Sequence, residues 1–289
     1  VKVAFFTSSM GGAGHIARAL TVRNGLLRQG FRGELRYFGP PIPYASAQHL
    51  EGYTVAALSD AELRSPRLAQ ASTLAEALRG YDPDVIVVDM FWLPLRHILP
   101  TLRAEAWLLV HSVPPNWLSG PLLAPFERGQ YKRILGMEPL RYYPREECLE
   151  PFVICNPDEC HPPEALKRRL GLAPEEHLTL IVQTGFAGEV EALVERHTRP
   201  GTTVVALSMR RDEAIFPVAP WLLGVDRLVG GGGYHFFWET VWLGLQPRTS
   251  YQPFARSIDH QEWRVQHQQH YKMTDNGADQ LARLLLRGG

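Results

Sequence analysis

Gly230 to Gly233 are four consecutive glycines, set between an apolar stretch, Trp221 to Val229, and an aromatic-rich one, Tyr234 to Gly244. Four glycines in a row suit neither a strand nor a helix interior, because each costs backbone entropy on ordering. At a strand-to-helix junction they let the backbone approach a ligand, and a helix N-terminus there favours an anion. A phosphate-bearing ligand is the first expectation. A second glycine turn runs Gly11-Gly12-Ala13-Gly14-His15 near the amino terminus. His15 falls where the following helix begins and can take a proton from a hydroxyl near neutral pH. Asp89 and His111 each end an apolar run and rank second and third as candidate bases behind His15.

Positioning these residues requires a particular order of elements. Strand-like and helix-like runs alternate, which predicts α/β architecture with parallel sheets. Val1 to Thr7 reads as a buried strand and His15 to Gln29 as a helix stopped by Gly30. Short strands are expected at 35–38 and 54–58, a helix at 68–79, a strand at 84–89, a helix at 94–104 and a strand at 107–110. Residues 113–130 read as a long irregular segment. A new unit is expected near Asn156-Pro157, with a helix at 162–170, strands at 178–182 and 203–207, and a helix at 189–197. A short strand within 222–229, a helix at 234–243 and a terminal helix at 275–287 complete the reading. Each unit thus begins with a strand, a glycine turn and a helix. Ligands of such sheets sit beyond the carboxyl ends of the strands, here between the two units.

Taken together, these residues resemble the nucleotide-sugar glycosyltransferases of the GT-B fold, particularly the MurG-like group. Gly11-Gly12-Ala13-Gly14-His15 is similar to that group's amino-terminal loop. Gly233 and Glu239, six residues apart and followed by Gly244-Leu245-Gln246-Pro247, are similar to its donor-binding stretch, with Gln246 inserted before the proline. Asp259-His260-Gln261-Glu262 is similar to the element that closes over the donor. The PseG-like nucleotide-sugar hydrolases are also similar, through Gly12-Ala13-Gly14-His15-Ile16-Ala17-Arg18.

The resemblance implies two Rossmann-like parallel-sheet domains facing a cleft. Residues 1–150 would form the acceptor-side domain and residues 151–289 the donor domain, with the terminal helix free to pack back on the first. It implies an inverting, metal-independent glycosyltransferase. A hydrolase using water and a non-catalytic nucleotide-sugar binder are the alternatives. Besides the candidate bases His15, Asp89 and His111, the expected donor and diphosphate contacts are Gly12, Gly14, Thr184, Gly185, Gly232, Gly233, Tyr234, His235, Glu239, His260 and Gln261. Backbone N–H groups of the 185–188 and 230–235 turns would hold the diphosphate. Glu239 would accept from the two ribose hydroxyls, since a carboxylate offers two acceptor oxygens. No cofactor is expected beyond the co-substrate, a UDP- or dTDP-linked sugar.

Other classes fare worse. Gly12-Ala13-Gly14-His15-Ile16-Ala17 fits the loose dinucleotide pattern, but no acidic residue ends the second strand, Leu35-Arg36-Tyr37-Phe38-Gly39. The 30 basic and 30 acidic residues balance, so the broad positive footprint of a nucleic-acid binder is absent. Only Lys2, Lys132, Lys167 and Lys272 are lysines, so arginine, the better bidentate phosphate ligand, carries most basic charge. Cys148, Cys155 and Cys160 fit a reducing cytosol better than a disulfide framework. Cys155, Cys160 and His161 fall one ligand short of a tetrahedral zinc site. The glutamine- and histidine-rich stretch at 266–270 reads as a solvated helix face. Trp117, Leu118, Leu122, Leu123 and Phe126, with Arg128, Lys132 and Arg133, suggest an acceptor groove, a patch on the inner face of a membrane, or a loop with its apolar side tucked in. The last is preferred, because prolines break the amphipathic pattern. A cytoplasmic protein, at most peripheral to the membrane, is expected.

Overall fold

The computed structural model describes residues 1–8, 14–42, 50, 52–54, 57–115, 117, 118, 126–142, 146–207, 215–256 and 258–287. Its elements in chain order are β1 (Lys2–Thr7), α1 (Gly14–Arg28), β2 (Glu34–Gly39), β3 (Gly52–Thr54), α2 (Asp60–Arg64), α3 (Pro66–Gln70), α4 (Thr73–Tyr81), β4 (Val85–Asp89), β5 (Glu105–Val110), β6 (Arg133–Gly136) and β7 (Glu147–Cys148). The second half adds α5 (Glu164–Arg169), β8 (Leu178–Val182), α6 (Ala187–His197), β9 (Thr203–Leu207), β10 (Arg227–Gly230), α7 (Tyr234–Trp242), β11 (Thr249–Tyr251), α8 (Gln261–His267) and α9 (Gly277–Arg287).

The strands form two all-parallel sheets, β3-β2-β1-β4-β5-β6-β7 and β11-β10-β8-β9. This is the GT-B-type arrangement of two Rossmann-like units. The first sheet reverses direction of growth between β1 and β4, where Thr7 pairs in register with Asp89. The second reverses between β8 and β10, where Val182 pairs with Gly230. Chains leaving adjacent strands at such a point diverge to opposite faces and open a crevice. Gly230 to Gly233 follow β10 at the second of these points, and α1 follows β1 at the first.

Burial follows from strand composition. β4, Val-Ile-Val-Val-Asp, is buried throughout because helices cover both faces of a parallel sheet. In the second sheet Leu180 and Leu228 face one cluster, while Ile181 and Val229 face another. The first core reaches beyond its own sheet. It takes in Tyr234, Phe237, Trp238 and Val241 of α7, and Ala278, Leu281, Ala282 and Leu285 of α9. α9 lies against α1 at Gly25, where a Cβ would stand 2.6 Å from the Ala278 carbonyl oxygen.

Several expected elements are redrawn. Residues 94–104 form two 3₁₀ turns, Leu93–Leu95 and Leu99–Thr101, rather than one helix. Pro94 and Pro100 each remove a backbone donor there. The helix expected at 68–79 is two helices, because Ser72 accepts from the Ala75 N–H and starts a new one. The second strand of the 35–58 region is Gly52–Thr54, and residues 55 and 56 lie outside the described set. The 222–229 strand begins only at Arg227, after a 3₁₀ segment at Ala219–Gly224. Strands β6, β7 and β11 are additions, and the helix expected at 266–270 is Gln261–His267 and ends before Gln268. Trp117, Leu118 and Phe126 pack against the first core, whereas Leu122 and Leu123 lie outside the described residues. No helix among the described residues is long and apolar enough to cross a membrane.

Candidate active site

Asp89 ends β4 at the first crevice and is fully buried. His15 and Arg18, one turn apart on α1, reach it from the same helix face. His15 Nδ1 lies 2.6 Å from Asp89 Oδ2, and Arg18 Nε donates to Oδ1 at 2.6 Å. Thr7 Oγ1 donates to Oδ2 at 3.2 Å. Met90, next in sequence, has φ of 64°, a left-handed conformation uncommon outside glycine. That turn brings Phe91 over His15, ring centroids 5.2 Å apart.

Protonation states follow from these contacts. Burial alone would raise the Asp89 carboxyl, but Arg18 and His15 outweigh it and hold it below the usual carboxylate range. An ionised Asp89 needs a donor at 2.6 Å, so His15 Nδ1 carries its proton toward the carboxylate. The Arg18 Nη2 atom at 2.7 Å from Nδ1 is then an electrostatic neighbour rather than a donor to that nitrogen. Burial, and secondly the Arg18 charge, push the His15 imidazole below its ordinary value, against the pull of Asp89. A neutral His15 with Nε2 unprotonated results, which is the form a general base requires.

The first residues of α7, just after the glycine run, meet this cluster. β10 ends at Gly230 and α7 starts at Tyr234. A Cβ at Gly230 would stand 2.5 Å from the Phe236 ring, and one at Gly231 would stand 2.8 Å from Gln183 Oε1. Gly232 has φ of 77°. Three of the four glycines are therefore required by the fold itself, and at Gly233, the helix cap, a Cβ would make only an ordinary contact with Gln261 Nε2 at 3.7 Å. The Tyr234 hydroxyl donates to Met137 O at 2.5 Å and accepts from Phe152 N at 2.7 Å, which commits that side chain to packing. Its ring lies 5.9 Å from the Arg18 guanidinium. His235 has both ring nitrogens buried without a hydrogen-bond partner, and its charge acts on His15. His235 Nδ1 stands 3.5 Å from Glu239 Oε1, one helical turn on, and Glu239 is buried.

The other expected residues spread around this centre. His111 is buried against the Tyr234 ring, centroids 5.7 Å apart, so it neighbours α7 rather than Asp89. Burial drives its imidazole down to about 4. Gln261 accepts from Phe254 N at 3.1 Å and donates to Asp259 at 3.1 Å. His260 meets the Tyr142 ring edge-on. Thr184 is exposed. At Gly185 the turn before α6 closes on the chain's own Glu189, which accepts from Phe186 N at 3.1 Å and Gln183 Nε2 at 2.6 Å and pairs with Arg256. That turn already holds an anion. Gly14 begins α1, with space around it apart from the Arg18 guanidinium 3.8 Å away. Gly12 lies outside the described residues.

Three residues of the site were not among the expected contacts. Arg18 had a signal, since it closes the Gly12 to Arg18 motif one turn after His15. Glu138 and Arg264 had none. Both are wholly buried, and Arg264 Nε and Nη2 donate to Glu138 Oε2 and Oε1 at 2.7 and 2.9 Å. Arg264 also donates to the Gly232 carbonyl at 3.2 Å and pairs with Asp259 at 2.7 Å, so it braces the glycine turn. Cys155 and Cys160 bring their sulfurs within 3.8 Å. No cluster of three His, Cys, Asp or Glu side chains arranged for a metal occurs among the described residues.

The fold is that of a bilobed GT-B-type protein, and comparison with known proteins bears on it as follows. No family model and no curated protein sequence matches the chain. Among solved structures it is similar to the spinosyn forosaminyltransferase SpnP, with a TM-score of 0.64 and 15% identity over 99% of this chain and 90% of that one. It is also similar to the spinosyn rhamnosyltransferase SpnG complexed with thymidine diphosphate, at 0.58 and 16% over 100% and 92%. The glycosyltransferase VinC in complex with dTDP follows at 0.57 and 13% over 99% and 90%. These likenesses establish the fold, and none ties the chain to the MurG-like or PseG-like groups.

Proposed function

We propose that the chain is a glycosyltransferase that moves a sugar from a nucleoside diphosphate to an acceptor hydroxyl with inversion and without a metal ion. The observation that carries this reading is the His15–Asp89 pair, set in the first crevice and facing the N-terminus of α7. An acceptor hydroxyl against Nε2 would give up its proton as its oxygen attacks the anomeric carbon. Asp89 would stabilise the imidazolium formed. The leaving diphosphate would be met by the N–H groups and dipole of α7 and by His235, whose ring nitrogens are buried without a hydrogen bond. Glu239, one turn further along, would take the ribose hydroxyls. Several similar structures hold dTDP or UDP, which favours a dTDP- or UDP-linked donor here.

Hydrolysis by the same dyad, with water as acceptor, is a second reading. Trp117, Leu118 and Phe126 favour it, because they lie half-buried against the first core rather than lining an open acceptor surface.

A thermal-shift screen of nucleoside diphosphates tests the donor half, since a ligand of the folded state raises the midpoint. dTDP or UDP should raise it. Failure of every nucleoside diphosphate to do so would sink the proposal. Release of free sugar without an acceptor, at the rate seen with one, would select hydrolysis, and binding without any turnover would select a non-catalytic binder.

A further inference from the structure

Arg18 has no place in the chemistry outlined above, yet it is buried and fully engaged. Its Nε takes Asp89 Oδ1 at 2.6 Å, while His15 Nδ1 and Thr7 Oγ1 share Oδ2. The two carboxylate oxygens are thereby divided between a guanidinium and an imidazole. Arg18 Nη2 sits 2.7 Å from His15 Nδ1. Its planar face is 5.9 Å from the ring of Tyr234, the first residue of α7. Arg18 is 4% exposed, His15 8% and Asp89 0%, so water does little to screen these charges.

We infer that Arg18 is the positioning residue of the proposed base: it turns Asp89 so that one oxygen meets His15 Nδ1, and its charge opposes a proton on the resting imidazole. The inference rests on reading His15 as the base. Both actions follow from geometry. A carboxylate held at Oδ1 by Arg18 Nε and at Oδ2 by His15 Nδ1 and Thr7 Oγ1 keeps its plane, and the rigid guanidinium fixes the first of these contacts. A fixed cation within hydrogen-bond distance of an imidazole disfavours the imidazolium. The other titratable groups near His15 are Asp89 from β4, which favours the imidazolium, and His235 from α7, which opposes it. His111, behind the Tyr234 ring, feels the Arg18 charge as well.

The sequence of events is a proton balance. At rest the Arg18 and Asp89 charges cancel and His15 is neutral. When the acceptor's proton reaches Nε2, the cluster carries one net positive charge beside the departing diphosphate. Arg18 thus makes the proton unwelcome before the reaction and adds positive charge near the leaving group during it.

The test is the titration of His15, followed by NMR of the imidazole carbons and nitrogens, together with the pH dependence of kcat/KM. Arg18→Met should raise the His15 midpoint, and with it the acidic limb of kcat/KM, by about one pH unit. Arg18→Lys keeps the charge and loses the fork, so it should leave the midpoint near wild type while lowering kcat at least tenfold. A purely structural role would lower activity in both variants with the midpoint unmoved, and that result overturns the inference. If Arg18→Met does not fold by circular dichroism, Arg18→Gln, which removes the charge and keeps a donor, takes its place and should raise the midpoint by the same amount. A kcat unchanged in Arg18→Lys, or a midpoint unmoved in the charge-free variant, also overturns it. The NMR titration needs no turnover. A protein that processes no nucleotide sugar would therefore refute the glycosyltransferase reading while the titration still judged Arg18.

Discussion

Glu138 and Arg264 form a two-point ion pair, 126 residues apart in sequence, that joins the exit of β6 to helix α8 with neither side chain reaching solvent. Glu138 has no spare capacity, because Oε1 also accepts from Ser112 N at 2.8 Å and Oε2 from Trp238 Nε1 at 2.6 Å. The pair therefore ties the first sheet, helix α7 and the glycine turn into one polar network.

Removing one partner of a buried pair leaves the other charged and unsolvated. Arg264→Met should destabilise the chain by about 3–5 kcal/mol. Adding Glu138→Gln should recover part of that loss. Urea unfolding of the two single variants and the double variant measures the coupling, and losses that simply add would contradict the network.

His15→Ala and Asp89→Asn should each lower kcat by about 10²–10⁴-fold, the usual worth of a general base and its support. Nucleoside diphosphate affinity should stay within threefold of wild type, since neither side chain is assigned to the donor. Titration calorimetry beside steady-state kinetics separates the two effects.

Glu239→Gln acts on the other half of the site. A hydrogen bond to a charged acceptor is worth about 1.5–3 kcal/mol, so UDP affinity should fall by roughly tenfold or more. Thymidine nucleotides have one sugar hydroxyl fewer, and their loss should be smaller. Equal losses for UDP and dTDP would place Glu239 away from the sugar.

His111 predicts an acid-sensitive window. Its folded value is about 4, whereas the unfolded chain titrates near 6.5. Between these values the unfolded state binds the extra proton, so stability is complete above about 6.5 and falls as pH drops toward 4. The full effect is on the order of 3 kcal/mol. His111→Phe, which keeps the ring against Tyr234, should flatten that part of the stability profile relative to wild type.

How far the sequence revealed this arrangement depended on sequence separation. The helix that carries His15 and the strand ending at Asp89 are local patterns, and both were legible. Their union was not. His15 and Asp89 stand as separate candidates in the sequence, and only the parallel pairing of β1 with β4 brings them within 2.6 Å. The glycine run drew attention as a ligand loop, yet Gly230 and Gly231 are required by Phe236, Val182, Gln183 and Phe254, contacts no linear pattern discloses. Nor does any linear pattern disclose that the Tyr234 hydroxyl is a packing pin between Met137 O and Phe152 N. Glu138 and Arg264 were invisible because neither has a motif and each is meaningful only beside the other. The failed helix at 94–104 is different in kind, since Pro94 and Pro100 were in view and the apolar pattern outweighed them.

The course of α7 has one more consequence. Nucleotide-binding halves of two-sheet proteins invite transplantation, one half cut from one protein and grafted onto another to alter its donor. Here Tyr234, Phe237, Trp238 and Val241 leave the second sheet to complete the first core. A graft at the crossover near residue 150 would carry that plug away and leave the host's aromatic socket unfilled. Exchange of donor specificity in this chain would have to proceed residue by residue around Gly233, His235 and Glu239, within a scaffold that behaves as one piece.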